Sequence, residues 1–354
     1  MSSRSPLATA LVVTVAAALL AAACSATPAA SSAPSVAGAS AAPAESAAAA
    51  VTQGGTLNID FATYNPLSLI IKNQGWLEAE LADQGVTVNW VKSAGSNKAN
   101  EALRANAIDV GSTAGSAALL ARSNDLPIQV IDIYSQPEWA AIVVPQGSTI
   151  ASVADLKGKR IAATKGTDPY FFLLQSLQEV GLAPTDVTVE VLQHADGWAA
   201  LQNGSVDAWA GLDPIMAGAE QAGASLLYRN VGFNSYGFLN ATESFLAAKP
   251  DLAQAVVDAY EHARAWAQEH PDETAQYLAT EAGLDLAVAT KVIAERSNLD
   301  VDPVPGEAQV SVLEKIGPIF VESGDVASQD KVDAALSTLL NPTFVTKAQP
   351  GRFE

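Results

Sequence analysis

Three polar residues each stand directly before a proline where the sequence pattern changes from strand to helix. They are Asn65, Asp168 and Asp213. An Asn or Asp side chain accepts a hydrogen bond from an unpaired N–H group in the first turn of a helix, and the proline that follows has no N–H to leave unpaired. The pattern predicts three helix N-termini, whose positive dipole ends favour a small anion.

Two hydroxyl side chains, Ser112 and Thr113, follow an apolar strand-like run and are flanked by Gly111 and Gly115. Such a turn can offer hydroxyl and backbone N–H groups to an oxyanion, although Ser or Thr can also cap a helix. We expect the ligand contact, because the second half of the chain has a turn at the matching position. Asn65 and Thr167 are open to either role, or to both.

The charged candidates near these turns favour different ligands. Lys165 lies in the turn before Asp168 and can complement an anion, but a lysine on a loop is usually solvated. Asp168 and Asp213 oppose an anion unless helix N–H groups take up their carboxylates, and capping is the interpretation we favour. The alternative is that Asp213 contacts a cationic group of the ligand.

Aromatic residues also stand near predicted strand ends and turns. They are Tyr64, Trp139, Tyr170 and Trp209. An aromatic ring can pack on a ligand's tail, yet large apolar side chains are more often part of the core. We expect Tyr64 and above all Trp209, in the strand before Asp213, to contact the ligand.

Metal and cofactor sites are not expected from this sequence. His194, His262 and His270 lack the i, i+4 spacing of a zinc-binding helix, and we expect them at the surface. Phosphate-binding, dinucleotide-binding and nucleophile-elbow motifs are also absent from strand-turn-helix settings. The pattern therefore favours a binding protein over an enzyme.

An internal repeat indicates how these residues are positioned. Residues 86–91 (VTVNWV) recur as 187–192 (VTVEVL), and each run is followed by Ala-Leu and then by a short strand with a central Asp, at residues 108–110 and 206–208. Alternating strand and helix patterns predict a parallel sheet with helices in each half. In such a sheet, ligands bind outside the carboxyl ends of the strands. We therefore expect an α/β protein of two lobes with a ligand cleft between them.

The lobe boundaries follow from apolar runs that can cross between the halves. We place the first lobe at residues 54–144 and 240–345, and the second at 145–239. The connections near Pro145 and at residues 236–240 are the two expected hinge crossings. Helices are expected over residues 66–81, 252–268, 308–321 and 331–340, and residues 346–354 should form a poorly ordered C-terminal tail.

The N-terminus has the pattern of an export signal. Arg4 precedes an apolar stretch that is short for a membrane span and ends in small residues at Cys24, the only cysteine of the chain. A cleaved signal over residues 1–23 and a lipidated Cys24 are expected, whereas a chance cysteine after an ordinary signal is the alternative. Residues 24–53 are rich in Ala, Ser, Pro and Gly and should form a disordered linker.

The charge of the chain limits its partners. The formal net charge is −19 and the isoelectric point is about 4.4. Such a surface argues against nucleic acid and against a polybasic membrane contact, which leaves the lipid anchor as the expected membrane attachment. An anionic ligand is still compatible, because surface charges are screened beyond roughly 10 Å at ordinary ionic strength.

Several short motifs resemble the extracytoplasmic solute-binding proteins of ABC importers that bind aliphatic sulfonates, taurine and nitrate-like anions. The resemblance covers residues 57–271, and its marks are residues 75–78 (GWLE), 108–112 (IDVGS), 154–159 (ADLKGK), 206–209 (VDAW) and 213–214 (DP). It departs at residues 211–212, where Gly-Leu replaces a second Trp that this branch often carries. A smaller residue there would enlarge the pocket.

The resemblance implies a type II periplasmic-binding-protein-like fold and a receptor that closes its lobes on a small organic anion, most readily an aliphatic sulfonate. A monomer that delivers its ligand to an ABC permease and its ATPase is expected, held outside the cytoplasm at the cell membrane. Alternatives are a receptor for a nitrate-like anion or for a neutral or cationic heterocycle such as a thiamine precursor. The pyrimidine-precursor synthases of thiamine biosynthesis share this fold, and the resemblance would imply a cysteine-rich, histidine-dependent site in such an enzyme. This chain has only Cys24, so an enzyme of that kind is not expected.

Overall fold

The computed structural model describes residues 54–353, which form two five-stranded sheets flanked by helices. The predicted signal peptide, Cys24 and the whole of the predicted linker lie outside the described residues. Within that range no helix is both long and apolar enough to span a membrane. The strands are β1 (Gly55–Phe61), β2 (Val86–Lys92), β3 (Val110–Ala114), β4 (Ile128–Ser135), β5 (Ala140–Val144), β6 (Arg160–Ala163), β7 (Thr188–Val191), β8 (Ala208–Leu212), β9 (Ser225–Tyr228) and β10 (Gly237–Thr242).

Thirteen α-helices accompany these strands in the described part of the chain, and a π-helical turn, Ile293–Ser297, follows α11. The helices are α1 (Pro66–Gln74), α2 (Trp76–Ala82), α3 (Ser96–Arg104), α4 (Gly115–Ser123), α5 (Asp168–Glu179), α6 (His194–Gln202), α7 (Ile215–Gln221), α8 (Glu243–Ala248), α9 (Pro250–Glu269), α10 (Pro271–Ala282), α11 (Leu286–Val292), α12 (Glu307–Glu322) and α13 (Gln329–Leu339).

The two sheets confirm the internal repeat and the two-lobed α/β fold. The first sheet has the order β2-β1-β3-β10-β4 and the second β7-β6-β8-β5-β9. In each, the three strands of the repeat are parallel and the fourth is antiparallel. The repeated Asp has the same role twice: Asp109 accepts from the backbone N–H of Asn58 at 2.8 Å, and Asp207 from that of Arg160 at 2.9 Å. We call the two halves the first and second lobes.

The crossings between the lobes differ from the predicted boundaries. Strand β5 pairs with β8 and β9, so residues 140–144 belong to the second lobe and not to the first. The first crossing is therefore the segment 136–139. The second is 229–236, because β10 already pairs with β3 and β4 of the first sheet. The apolar β5 run was assigned to the wrong lobe because a buried strand looks alike in either sheet.

Two further predictions about local structure are corrected. The helix expected over residues 66–81 is broken at Gly75, whose φ of 68° is left-handed and ends α1 before α2 begins. The end of the chain is also folded: Arg352 bonds to Glu80 at 2.6 Å and to Asp258 at 3.3 Å, which holds the C-terminal residues against α9. The helices expected in the C-terminal third are confirmed as α9, α12 and α13.

Candidate functional site

The N-terminus of α1 is capped as predicted. Asn65 Oδ1 accepts from the backbone N–H of Ser68 at 3.3 Å, and Asn65 Nδ2 donates to the hydroxyl of Tyr260 at 3.0 Å. The Asn65 side chain is completely buried. Both of its polar groups therefore have protein partners, and the capping interpretation is the one that the structure supports.

Asp213 combines the predicted capping role with an ion pair that the sequence did not indicate. Its Oδ1 accepts from the backbone N–H of Ala217 at 2.9 Å, in the first turn of α7. Both carboxylate oxygens also lie 3.2 Å from Nη1 of Arg296, whose Nη2 pairs with Glu220. Burial raises the pKa of Asp213 to about 6, although Arg296 opposes this shift. The carboxylate is therefore already occupied by helix and guanidinium donors.

A small pocket between the lobes lies beside this ion pair. The rings of Tyr64 and Trp139 meet edge to face in it, with centroids 6.1 Å apart. Arg296 also lines the pocket, and its Nε is buried and has no hydrogen-bond partner among the described residues. The pocket thus joins an aromatic wall to a cationic N–H group. Its lining residues are Thr63, Tyr64, Pro66, Pro137, Trp139, Asp213, Val292, Arg296 and Ser297.

The predicted cap at Asp168 is wrong. Helix α5 begins at Asp168 itself, with Thr167 as the N-cap residue, and neither side chain caps it. The Asp168 carboxylate instead accepts from Ser116 Oγ at 2.6 Å, Trp139 Nε1 at 2.8 Å and both the N–H and Oγ of Ser235 at 2.8 and 2.6 Å. These partners belong to α4 of the first lobe and to the two crossings. Asp168 therefore connects the second lobe to α4 and to both crossings. Burial raises the pKa of the Asp168 carboxyl above its usual value.

Ser112 and Thr113 lie inside β3 and not in a turn after it, because β3 begins two residues later than predicted. Ser112 Oγ donates to Asp60 at 3.0 Å, and Thr113 Oγ1 accepts from Asn240 Nδ2 at 2.8 Å. Both side chains are completely buried. Asp60 is buried too, and burial raises its pKa to about 7. The two hydroxyls thus serve the core of the first lobe, which corrects our expectation that they contact an anion in this arrangement.

The remaining candidates are spread over other environments. Lys165 pairs with Asp325 of the first lobe at 2.6 Å, and Thr167 Oγ1 donates to the backbone carbonyl of Thr164 at 2.6 Å. Trp209 is completely buried in the second lobe, where its indole packs against the α-carbon of Gly197. Trp209 is therefore a core residue, and the tryptophan that lines the pocket beside Tyr64 is Trp139.

His194 is also placed differently from our expectation. It lies at the first position of α6 with only 1% of its surface exposed, and burial lowers its pKa to about 3. His262 and His270 pack against Trp76 and Trp266, respectively, on α2 and α9. Among residues 54–353, no cluster of His, Cys, Asp and Glu could hold a metal ion.

The structure therefore brings Tyr64 and Asp213 together in one pocket and separates the other candidates from it. Arg296 is the most informative residue that the sequence did not reveal. It follows a helical pattern with no distinguishing motif, and its partner Asp213 is 83 positions away. The only available signal was the carboxylate of Asp213 at the expected cleft, since a carboxylate that becomes buried there needs a cation or several N–H donors.

Comparisons with known proteins agree with this architecture. An aliphatic sulfonates-binding protein of Escherichia coli K12 is 29% identical over 239 residues, which cover 67% of this chain and 75% of the relative. The taurine-binding periplasmic protein of that organism is 32% identical over 126 residues, or 35% of this chain and 39% of the relative.

Among solved structures, the alkanesulfonate-binding protein of Xanthomonas axonopodis pv. citri bound to MOPS superposes with a TM-score of 0.71 at 27% identity. The match covers 79% of this chain and 97% of that protein. The profile of the NMT1/THI5-like family matches residues 70–274. On the strength of a match over more than half of its length, this chain belongs to the NMT1/THI5-like family.

Proposed function

We propose that this protein is the extracytoplasmic solute-binding receptor of an ABC importer and that it captures a small organic anion, most readily an aliphatic sulfonate. The observation that carries the proposal is the interlobe pocket, which Arg296, with its unpaired Nε, lines together with the rings of Tyr64 and Trp139. A buried N–H of a guanidinium suits a sulfonate oxygen, and the rings suit an alkyl tail. The names of the relatives support the same ligand class.

The neutral or cationic heterocycle is less well supported by the pocket. Asp213 is occupied by Arg296 and by the first turn of α7, and Asp168 accepts four hydrogen bonds. A cationic ligand would have to displace these donors to reach either carboxylate. A sulfonate would not displace these donors, because Arg296 Nε has no partner to lose, but the pocket has a volume of only about 10 Å³ in this arrangement and the lobes must part to admit the ligand.

Lobe closure about the two crossings is the proposed means of capture. Segments 136–139 and 229–236 connect the sheets, and contacts such as Lys165 with Asp325 and Asp168 with Ser116 join the lobes in this arrangement. A hinge at two short segments lets the lobes part and close around a ligand. The closed receptor would then deliver the ligand to the permease, which its ATPase drives.

The anchor is tested separately from ligand binding. We propose that Cys24 is lipidated and holds the receptor at the outer surface of the cell membrane. Cells that carry Cys24→Ala should release the protein from the membrane fraction, while Ser25→Ala should leave it there. If the Cys24 variant still fractionates wholly with the membrane, the lipid anchor is wrong.

Ligand class is best tested by thermal shift with alkanesulfonates, taurine, nitrate and thiamine precursors. A ligand at 100 times its Kd stabilises the native state by about 2.7 kcal/mol and raises Tm measurably. We expect the shift with alkanesulfonates, and its loss in Arg296→Gln. Arg160→Gln, which removes an exposed guanidinium of the second lobe, is the matched control. A shift with thiamine precursors alone would contradict the proposed function.

A further inference from the structure

The outer strands of the two sheets lead into helices that meet across the cleft. Strand β2 is followed by α3 in the first lobe, and β7 by α6 in the second. Both strands lie at the sheet edge that is separated from the crossing strands β10 and β5 by two other strands. A rotation about the crossings displaces this edge more than the strands beside the hinge. A contact here is therefore well placed to report whether the cleft is closed.

His194 of α6 makes that contact with Gly95, the N-cap residue of α3. A β-carbon built on Gly95 would lie 3.1 Å from His194 Nε2, 3.1 Å from its Cδ2 and 2.9 Å from Oδ1 of Asn97 on α3, so a side chain here would press on both residues. Glycine thus permits the imidazole of one lobe to rest on the backbone of the other. Because the His194 side chain is 1% exposed in this arrangement, separation of the lobes would expose it to water.

The hydrogen bonds around the His194 ring indicate which of its two nitrogens carries the hydrogen. Thr164 Oγ1 donates to the carbonyl of Leu192 at 2.7 Å, so its remaining role toward His194 Nδ1, 3.1 Å away, is that of an acceptor. In the neutral ring, Nδ1 therefore carries the hydrogen and Nε2 is unprotonated. Nε2 has no hydrogen-bond partner among the described residues, so a proton added there would lack an acceptor unless the side chain of Asn97, whose Oδ1 is also buried without a partner, moved towards it.

The surroundings also oppose a positive charge on the ring. His194 is the first residue of α6 and touches the N-cap of α3, and neither helix has a side-chain cap, so two positive dipole ends face the imidazole. The ionic groups on the elements nearby are engaged or exposed: Lys98 pairs with Glu101 on α3, Lys165 pairs with Asp325, and Asp196 on α6 is exposed.

We propose that the contact of His194 with Gly95 closes the outer edge of the cleft, and that protonation of His194 breaks it and promotes ligand release in acid. The inference rests on the proposed function, since it assumes a ligand held by lobe closure. Burial lowers the pKa of His194 to about 3 in the closed arrangement, whereas an exposed histidine titrates near 6.5. Closure is therefore fully favoured above about pH 6.5 and becomes weaker as the pH falls below it.

The expected effect on affinity is large. If the free receptor is open with His194 exposed, closure must remove one proton, and Kd rises by a factor of about 10 at pH 5.5 relative to pH 7.5. The test is calorimetric titration of the wild type and His194→Gln with an alkanesulfonate at both pH values. An alkanesulfonate stays ionised across this range, so the ligand itself contributes no titration.

We expect His194→Gln to lose most of the tenfold acid effect, since Gln stays neutral, while His270→Gln, at the partly exposed junction of α9 and α10, keeps it. Gly95→Ala should weaken binding in the wild type and less so in a His194→Ala background, because the His194 ring makes two of the three close contacts and Asn97 Oδ1, in the same lobe as Gly95, makes the third in both backgrounds. An equally steep acid effect in His194→Gln, or equal effects of Gly95→Ala in both backgrounds, would overturn the inference. Absence of sulfonate binding by the wild type would instead remove the proposed function.

Discussion

Replacement of Asp213 by asparagine separates the two roles that the structure gives this residue. Asn retains an oxygen that can accept from the backbone N–H of Ala217, and Asn and Asp cap helices about equally well. A residue with only the predicted capping role would therefore tolerate the change. The structure adds Arg296, whose side chain is 1% exposed and whose Nη1 is directed at both carboxylate oxygens.

The magnitude follows from the guanidinium that the substitution leaves behind. Removal of one partner from a buried ion pair costs about 3–5 kcal/mol, because the remaining charge is buried without compensation. Two effects reduce this cost: Glu220, itself 25% exposed, continues to pair with Nη2, and the burial that raises the pKa of Asp213 no longer opposes folding once the carboxylate is replaced. We therefore expect Asp213→Asn to lower the free energy of unfolding by about 2–3 kcal/mol.

Urea denaturation at pH 7.5 measures this directly, with Asp285→Asn as the control, because Asp285 makes an exposed hydrogen bond to Gln221 of α7. The double variant Asp213→Asn with Arg296→Met should recover part of the loss, since it removes the stranded charge. A change below about 0.5 kcal/mol in Asp213→Asn, the range of ordinary surface substitutions, would refute the ion-pair reasoning and restore the simple cap.

Three further substitutions test other parts of the structure. Asp168→Asn should lower the free energy of unfolding by about 2–4 kcal/mol in urea, because the amide nitrogen would face the hydroxyl and N–H donors of Ser235 and its neighbours; an unchanged midpoint would contradict that network. Asp60→Asn should flatten the pH dependence of stability between about pH 4 and 7. The raised pKa of Asp60, about 7, means that the folded state favours the protonated carboxyl. The wild type should therefore lose at most about 4 kcal/mol of its free energy of unfolding as the pH rises through this range. The check is a set of denaturation curves across that range, and parallel profiles for both proteins would refute it. Gly197→Ala should cost about 1–3 kcal/mol, since its β-carbon would lie 2.8 Å from the Trp209 indole, whereas Gly147→Ala in open space should show only backbone strain.

Strands and helices with a clear hydrophobic periodicity could be predicted from the sequence, and the internal repeat predicted the two-lobed architecture. The runs at residues 86–91 and 187–192 correspond to the edge strands β2 and β7 of the two sheets. They could be predicted because alternation and β-branched residues identify a half-buried strand without reference to its neighbours. Strands β3 and β8 begin two residues later than expected. Each is a buried run whose ends are set by its partners in the sheet, which a local pattern does not contain.

The pocket was harder to predict because it depends on contacts distant in sequence. Capping was one of the two roles left open for Asn65, and the sequence could offer it because a cap is a local interaction over three residues. Asp168 has the same Asx-Pro signature, yet its side chain turns to Ser116 and Ser235, 52 and 67 positions away. The same signature therefore predicted the helix start in both cases and the side-chain partner in only one.

The central claim is that the interlobe pocket binds an organic sulfonate through Arg296. Isothermal titration of the purified protein at pH 7.5 with hexane-1-sulfonate and with hexylamine, which share a tail and differ in charge, tests it most directly. The account predicts saturable one-site binding of the sulfonate, no binding of the amine, and at least a tenfold weaker Kd for the sulfonate in Arg296→Gln than in Arg160→Gln. Binding of the amine but not of the sulfonate, or sulfonate binding that Arg296→Gln leaves unchanged, would contradict it.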